Sequence, residues 1–393
     1  MTDTIRPDNP EGKVTTETPP SAWRSMRRGF LPLSSAIVVL VAVNLCDRIV
    51  AGRFYFSVAV PAWSWYFVVR TACVAFASAL IVWAMVRLQE PNAGRRELSG
   101  SLDIRIGWAV LALGTAFVIL TLLSPATLCL VIRSEGPVEK LQTVLLFFSC
   151  ISFIVVFFRV RHLEPERRNV YAALALFFVL VFFVMAMEEE SWFQMDLNFR
   201  TPGWFPRNQQ DELNFHNFAT DKFNVLYYCG TFLFLVLIPF LYGQTRFYGK
   251  FRRASFFVPS ESIILVSSIG MSMFYTHWTN ASAQVCFYAT LFILVYYQAR
   301  VSSGLLKPVV SRTWLLLLVV TCALSQMSVL IQGPVQIPWN GLSWFHNTPK
   351  EVYEHTHLGF GWDVSEYREF FVPLAFAVFS VEMLGKSRKI IAR

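Results

Sequence analysis

Stretches of about twenty apolar residues, the length that crosses the hydrocarbon core of a bilayer, recur from one end of this chain to the other. No water-soluble fold can hide so many. They are expected as spans at 31–50, 61–86, 106–131, 137–159, 169–188, 222–245, 261–278, 281–299, 313–333 and 366–386. Only 15% of the residues are charged, against about 25% in a soluble domain, so a water-facing coat could not be built around a single core. The 37 phenylalanines suit side chains that face lipid. The sequence therefore predicts an all-α integral membrane protein of about ten transmembrane helices, with no internal repeat. The seventh and eighth spans are the weakest of the set, because each is short and holds several Ser, Thr or Asn residues.

Residues 1–29 are polar and contain Pro10, Pro19 and Pro20, which reads as a disordered cytoplasmic tail. The sequence after the first apolar run has no small-residue cleavage pattern, so that run reads as a retained helix. Residues 30–388 then form one polytopic transmembrane domain. Alternating the spans from a cytoplasmic N-terminus places most of the 34 Lys and Arg on the inner side. Among them are Arg95-Arg96, Arg159, Arg161, Arg167-Arg168, Arg252-Arg253, Lys307, Arg312 and Arg388-Lys389. That is the positive-inside bias, and it puts both termini in the cytoplasm. It also accounts for the net charge of +8 without a nucleic-acid partner.

The same alternation puts most of the acids outside, together with every histidine except His162. The two longest loops, 189–221 and 334–365, also fall outside. Both carry Trp, Asn, Gln, acids and His rather than Gly and Ser, as ordered functional loops do. Pro125 and Pro373 fall inside spans, where they kink or end helices. Arg133-Ser134-Glu135-Gly136 forms a tight turn that makes the third and fourth spans a helical hairpin. The seven cysteines show no CxxC and no clustering, so they read as small apolar packing residues.

Several groups at the outer side bear on chemistry. Glu135 and Glu139 flank Pro137 at the start of the fourth span, where acids also complement a helix dipole. Asp363, Glu366 and Glu369 recur every three residues into the tenth span, along one side of a helix. Glu188-Glu189-Glu190 end the fifth span and crowd the negative end of a dipole. Each acid there loses about 0.3–1 kcal/mol, so the three need a cation, neighbouring Arg or Lys, or shared protons. Glu212 and His216 stand at i and i+4, a spacing that places two ligands on one metal if the segment is helical. Glu354-His355-Thr356-His357 would put both imidazoles on one side of an extended strand, as metal ligands or as a solvated loop. His277 reads as an interfacial packing residue. Asp47 ends the first span where polyprenyl-dependent glycosyltransferases keep an acid, but the loop after it is too short for that family.

The string Glu188-Glu189-Glu190-Ser191-Trp192, followed by Glu212 and by Asn214-Phe215-His216-Asn217, resembles a pattern in uncharacterised bacterial polytopic membrane proteins. The resemblance covers residues 135–218 and implies no activity. It implies a bacterial inner-membrane setting and groups Glu135, Glu139, Glu189, Glu212 and His216 into one set.

Taken together, these residues favour a membrane enzyme with an extracytoplasmic site. Glu135, Glu139, Glu188, Glu189, Glu190, Glu212, His216 and Glu369 are its candidate catalytic residues. Glu189, Glu212, His216, His355 and His357 are candidate ligands for a divalent metal ion. At head-group depth the substrate would be a lipid or lipid-linked head group, with hydrolysis or group transfer as the reaction. A non-catalytic subunit that docks a periplasmic or membrane protein partner through Trp192, Trp204, Trp339, Trp344 and Trp362 is the alternative. A transporter is less favoured, because the span centres are almost free of charge.

Overall fold

The computed structural model describes residues 22–53, 59, 61, 64–88, 96–98, 103–123, 127–128, 131, 137–194, 197–203, 205, 213–215, 218–244, 254–332 and 350–391. At 22–28, 96–97, 243–244, 254–255, 276, 332, 350–363 and 391 that description is of the backbone alone. Among the described residues, nine helices are long and apolar enough to cross a membrane, which makes the chain a multi-pass membrane protein.

The helices are α1 (Ala22–Val50), α2 (Trp65–Arg87), α3 (Ile104–Leu123), α4 (Pro137–Val160) and α5 (Pro165–Glu189). The next, α6, runs Thr220–Phe232, passes through a π-helical turn at Leu233–Leu237 and continues as Ile238–Gln244. A short α7 (Glu261–Ser267) precedes α8 (Ala281–Ser302), α9 (Arg312–Gln332) and α10 (Lys350–Ile391). Pro137 and Pro165 open α4 and α5 at the first helical position, where a missing N–H costs nothing. Ser64 caps α2 by accepting from the Phe67 amide at 3.1 Å, and Asn280 caps α8 by accepting from the Ser282 amide at 2.9 Å. The helix α10 runs past Pro373 without ending there. Its backbone is already helical from Lys350, within what the sequence suggested was an outer loop.

The hairpin α4–α5 packs on α10, and α1 packs on α2, which packs on α8. Interleaved rings fill the core between α4, α5, α6 and α10. Phe153 meets Phe178, Phe182 and Phe379 at centroid distances of 4.8, 5.5 and 5.6 Å, and Phe234 meets Phe379 at 5.4 Å. Lipid-facing rows such as Val144, Ile151 and Phe158 stay exposed, as the solvent requires. A two-residue parallel pair, β1 (Arg96–Glu97) with β2 (Leu306–Lys307), ties the segment after α2 to that after α8.

The expected helix over 261–278 is replaced by a broken segment. Only α7 is α-helical; 3₁₀ turns at Gly270–Ser272 and Thr276–Thr279 follow it. The serines that made this span look weak are part of the reason. Ser267, Ser268 and Ser272 turn their hydroxyls back onto the carbonyls of Ile263, Leu265 and Ile269, at 3.0, 2.9 and 2.7 Å. Such bonds compete with the helical ladder. Past the break, the Gln326 side chain accepts from the Phe274 amide at 2.9 Å and donates to the Phe274 carbonyl at 2.7 Å. Gly114 and Gly270 let neighbours close in: a Cβ on Gly114 would collide with Ile269 Cδ1, and one on Gly270 would lie 3.0 Å from Phe371 Cβ.

The broken segment runs from one end of the bundle to the other. At its start, the Ser260 hydroxyl donates to Glu382 at 2.6 Å, and Lys386 Nζ donates to the Val258 carbonyl at 2.9 Å, both near the C-terminal end of α10. At its finish, Arg70 Nη2 donates to the Thr279 carbonyl at 2.6 Å. Arg70 also binds both carboxylate oxygens of Asp47 through Nε, at 2.7 and 2.8 Å, and donates to Gln284 through Nη1 at 2.9 Å. Asp47 thus sits in the last turn of α1, paired, and Tyr66 donates to it at 2.8 Å.

Both charges of the Asp47–Arg70 pair are buried, so removing one strands the other, at a cost of about 3–5 kcal/mol. We expect Asp47→Ala to lower the melting temperature of the detergent-solubilised protein more than the double variant Asp47→Ala/Arg70→Met does.

Candidate functional site

The acids that end α5 leave the helix through an unusual turn. Ser191, Trp192 and Phe193 all take left-handed backbone angles, with φ of 42°, 57° and 59°. Each such residue costs roughly 1–2 kcal/mol, so neighbouring contacts must hold the turn. Glu188 supplies two of them. Its Oε1 accepts from Trp192 Nε1 at 3.0 Å, and its Oε2 accepts from the Phe215 amide at 2.7 Å. Asn214 Nδ2 donates to Ser191 Oγ at 3.0 Å, and Gln194 accepts from the Leu213 amide at 2.5 Å. The end of α5 and the Asn214-Phe215 segment are therefore docked on each other. Glu190 is buried and accepts from Lys140 Nζ at 2.5 Å, tying the end of α5 to the start of α4.

Glu189 stands among other ionisable groups. Glu369, Glu139, Glu190 and Glu188 lie within electrostatic reach of it, as does Tyr227. Glu369, on α10, accepts a short hydrogen bond from Tyr228 Oη and another from Ser365 Oγ at 2.8 Å. Arg368 Nη2 lies 3.7 Å from the same carboxylate and donates to Ser365 Oγ at 2.6 Å. The Arg368 guanidinium rests 3.5 Å above the Tyr228 ring and 4.9 Å from the Phe274 ring, in the broken segment. His277, also in that segment, meets the Tyr228 ring edge-on at 5.7 Å.

The bundle thus gathers Glu139, Glu188, Glu189, Glu190 and Glu369 at the end where α1 finishes and α4 begins. Lys140 pairs with Glu190 and Arg368 with Glu369. Among the described residues, Arg368 Nε and Tyr227 Oη are buried here without a hydrogen-bond partner. Buried donors are nearly always satisfied, so both atoms call for a polar partner beyond the described residues.

Of the residues singled out from sequence, Glu135, Glu212 and His216 lie outside the described residues. His355 and His357 fall on the helical backbone of α10, not on an extended strand. A step of two residues turns about 200° around a helix, so alternation does not bring that pair together. Among the described residues, no three His, Cys, Asp or Glu are arranged to hold a metal ion. His277, which the sequence suggests is an interfacial packing residue, is buried beside Tyr228 and Arg368. Sequence reasoning also missed Lys140, Tyr227, Tyr228, Ser365 and Arg368. Arg368 carried a usable signal, since a cation between Glu366 and Glu369 at membrane depth is costly unless paired.

Removing Glu188 leaves the Phe215 amide without its acceptor, and a hydrogen bond to a charged group is worth about 1.5–3 kcal/mol. Hydrogen–deuterium exchange should show the 213–215 amides exchanging roughly tenfold faster or more in Glu188→Ala. Glu188→Gln, which keeps an acceptor oxygen, should show a smaller change.

Comparison with protein-family models, curated proteins and solved structures finds no match for this chain.

Proposed function

We propose that the chain is a membrane-embedded enzyme whose site faces away from the cytoplasm and acts on a lipid or lipid-linked head group, by hydrolysis or group transfer. The observation that carries this reading is Glu369 within electrostatic reach of Glu189, beside an Arg368 Nε and a Tyr227 Oη that are buried without a hydrogen-bond partner among the described residues. The two carboxylates stand in contrasting surroundings. Glu369 has two hydroxyl donors and a guanidinium, whereas the charged groups around Glu189 are carboxylates. Contrast of that kind divides acid and base roles between paired carboxylates. We assign Glu369 as proton acceptor and Glu189 as proton donor. Arg368 and Tyr227 would meet the oxygen on which negative charge develops. In the metal-dependent form of this proposal Glu189, Glu212 and His216 are ligands of a divalent ion, and Glu189 is then not the proton donor.

The site lies where α5 ends and α4 begins, which suits a head group at the membrane surface. The proposed topology has ten crossings, the broken segment being the seventh, with both termini in the cytoplasm by the positive-inside bias. A reporter fused to the C-terminus tests that count. Ten crossings put it on the same side as the N-terminus, whereas nine put it on the opposite side.

The enzyme reading is tested by reconstituting the protein in liposomes of bacterial lipid extract and following lipid composition by mass spectrometry. Wild type should convert one lipid class. Glu189→Gln and Glu369→Gln should slow that conversion by about 10²–10⁴-fold, the usual contribution of an acid or base. Conversion that neither variant slows would remove the assignment, and no conversion by wild type would remove the lipid substrate.

A second reading, coupled transport, is favoured by the broken segment, since discontinuous helices form the sites of many transporters. A substrate-dependent proton flux in the same liposomes, without any lipid product, would select it.

A further inference from the structure

At the end of the bundle opposite the acids, the fold brings together basic residues from separate stretches of the chain. The α4–α5 hairpin turns there, and α10 finishes beside it. Arg159 fixes the ends of α4 and α10 on each other, because its Nη1 donates to the Leu384 carbonyl and to Ser387 Oγ, each at 3.1 Å. The start of α5 is tied in through the segment before α7. Tyr171 stacks on Phe256 at 5.0 Å, and Lys386 Nζ donates to the Phe256 and Val258 carbonyls at 3.3 and 2.9 Å. On this frame Arg161, Arg167 and Arg168 of the hairpin and Arg388 and Lys389 of α10 stand exposed. The acids beside them are Glu164 and Glu166 on the hairpin and Glu382 on α10, which bonds Ser260 and Lys386. Basic groups therefore outnumber acids at this end.

Beyond the turn, the same hairpin is apolar. Ile151, Ile154 and Phe158 of α4 and Val170, Phe177 and Leu180 of α5 are exposed, and both helices are long and apolar enough to cross a membrane. A ligand that suits this surface is anionic at one end and hydrocarbon along the rest. A phospholipid meets both demands, whereas a free phosphate meets only the first. We propose that the α4–α5 turn and the end of α10 bind the head group of an anionic phospholipid, whose acyl chains lie along the exposed faces of α4 and α5. Basic clusters next to membrane-crossing helices attract such lipids. Arginine suits the phosphate in particular, because its planar fork donates two parallel hydrogen bonds to one phosphate group. The positive-inside bias accounts for basic residues in the connecting segments. It does not account for their convergence on three helix ends held together by Arg159 and Lys386. This surface lies at the far end of the bundle from Glu189 and Glu369, so the proposal stands apart from the enzyme reading.

The test titrates the full chain in detergent with phosphatidylglycerol or phosphatidylcholine of matched acyl chains and follows bound lipid by native mass spectrometry. Wild type should retain phosphatidylglycerol in preference to phosphatidylcholine. Replacing Arg161, Arg167 or Arg168 singly by Gln should weaken phosphatidylglycerol binding by roughly fivefold, and replacing all three by roughly a hundredfold. The matched variant Arg87→Gln/Arg105→Gln/Arg312→Gln removes the same charge from exposed positions on α2, α3 and α9 and should bind as wild type does. Wild type that does not discriminate between the two lipids, or hairpin variants that bind phosphatidylglycerol as tightly as wild type, would overturn the proposal. Equal weakening in the two triple variants would overturn it as well, by showing bulk charge rather than a site.

Discussion

The clasp between the Gln326 side chain and both backbone polar groups of Phe274 is the contact on which the site's geometry rests. Where a chain leaves the helical ladder away from water, each freed N–H and C=O must find a partner inside the protein. Gln326 does this for Phe274 with one amide group. The enclosure follows from the same rule, since residues 259–275 are all buried and lipid does not touch the irregular backbone. Gly114 and Gly270 make room for it, at places where a methyl group would collide with Ile269 or Phe371.

From that clasp a short chain of contacts leads to the acids. Phe274, held in place, offers its ring to Arg368, which also lies over Tyr228 and reaches Ser365 and Glu369. A guanidinium with 1% exposure is costly unless its charge is met on several sides. Here two aromatic faces, a hydroxyl and a carboxylate meet it. Glu369 can sit among other carboxylates because Arg368 is beside it. The break after α7 and the gathering of acids are thus one arrangement viewed from two sides. Any reading of the site as enzyme or transporter has to use both.

The long helices were legible in the sequence because lipid imposes a length and a polarity that the residues display directly. The meeting of Glu139, Glu188, Glu189, Glu190 and Glu369 was legible in outline, since alternating the spans assigns all of them to one end. The broken segment was not, because 261–278 has the apolar content of a crossing. What differs is the competition of its serines for backbone carbonyls and the clasp from Gln326, which comes from 52 residues away. Arg368, Tyr227 and Tyr228 were passed over for a related reason. Their importance depends on which faces of α6 and α10 meet, and on His277 and Phe274 arriving between them. The pairing of Asp47 with Arg70 likewise needs α1, α2, α8 and Thr279 to converge.

The three consecutive acids at the end of α5 looked in sequence like one concentrated site. Geometry argues otherwise, because successive helical residues point about 100° apart, so three in a row cannot share a task. Glu188 accepts from Trp192 and the Phe215 amide and holds the left-handed turn. Glu190 is bound by Lys140 and fixes α5 to α4. Those two contacts direct the outer acids to structural partners and leave Glu189 within electrostatic reach of Glu369 and Tyr227. The unfavourable end of the helix dipole is offset for the flanking acids by a lysine, an indole and a backbone amide. The chemistry we propose therefore narrows from a run of three glutamates to the middle one, with Glu369 within its electrostatic reach.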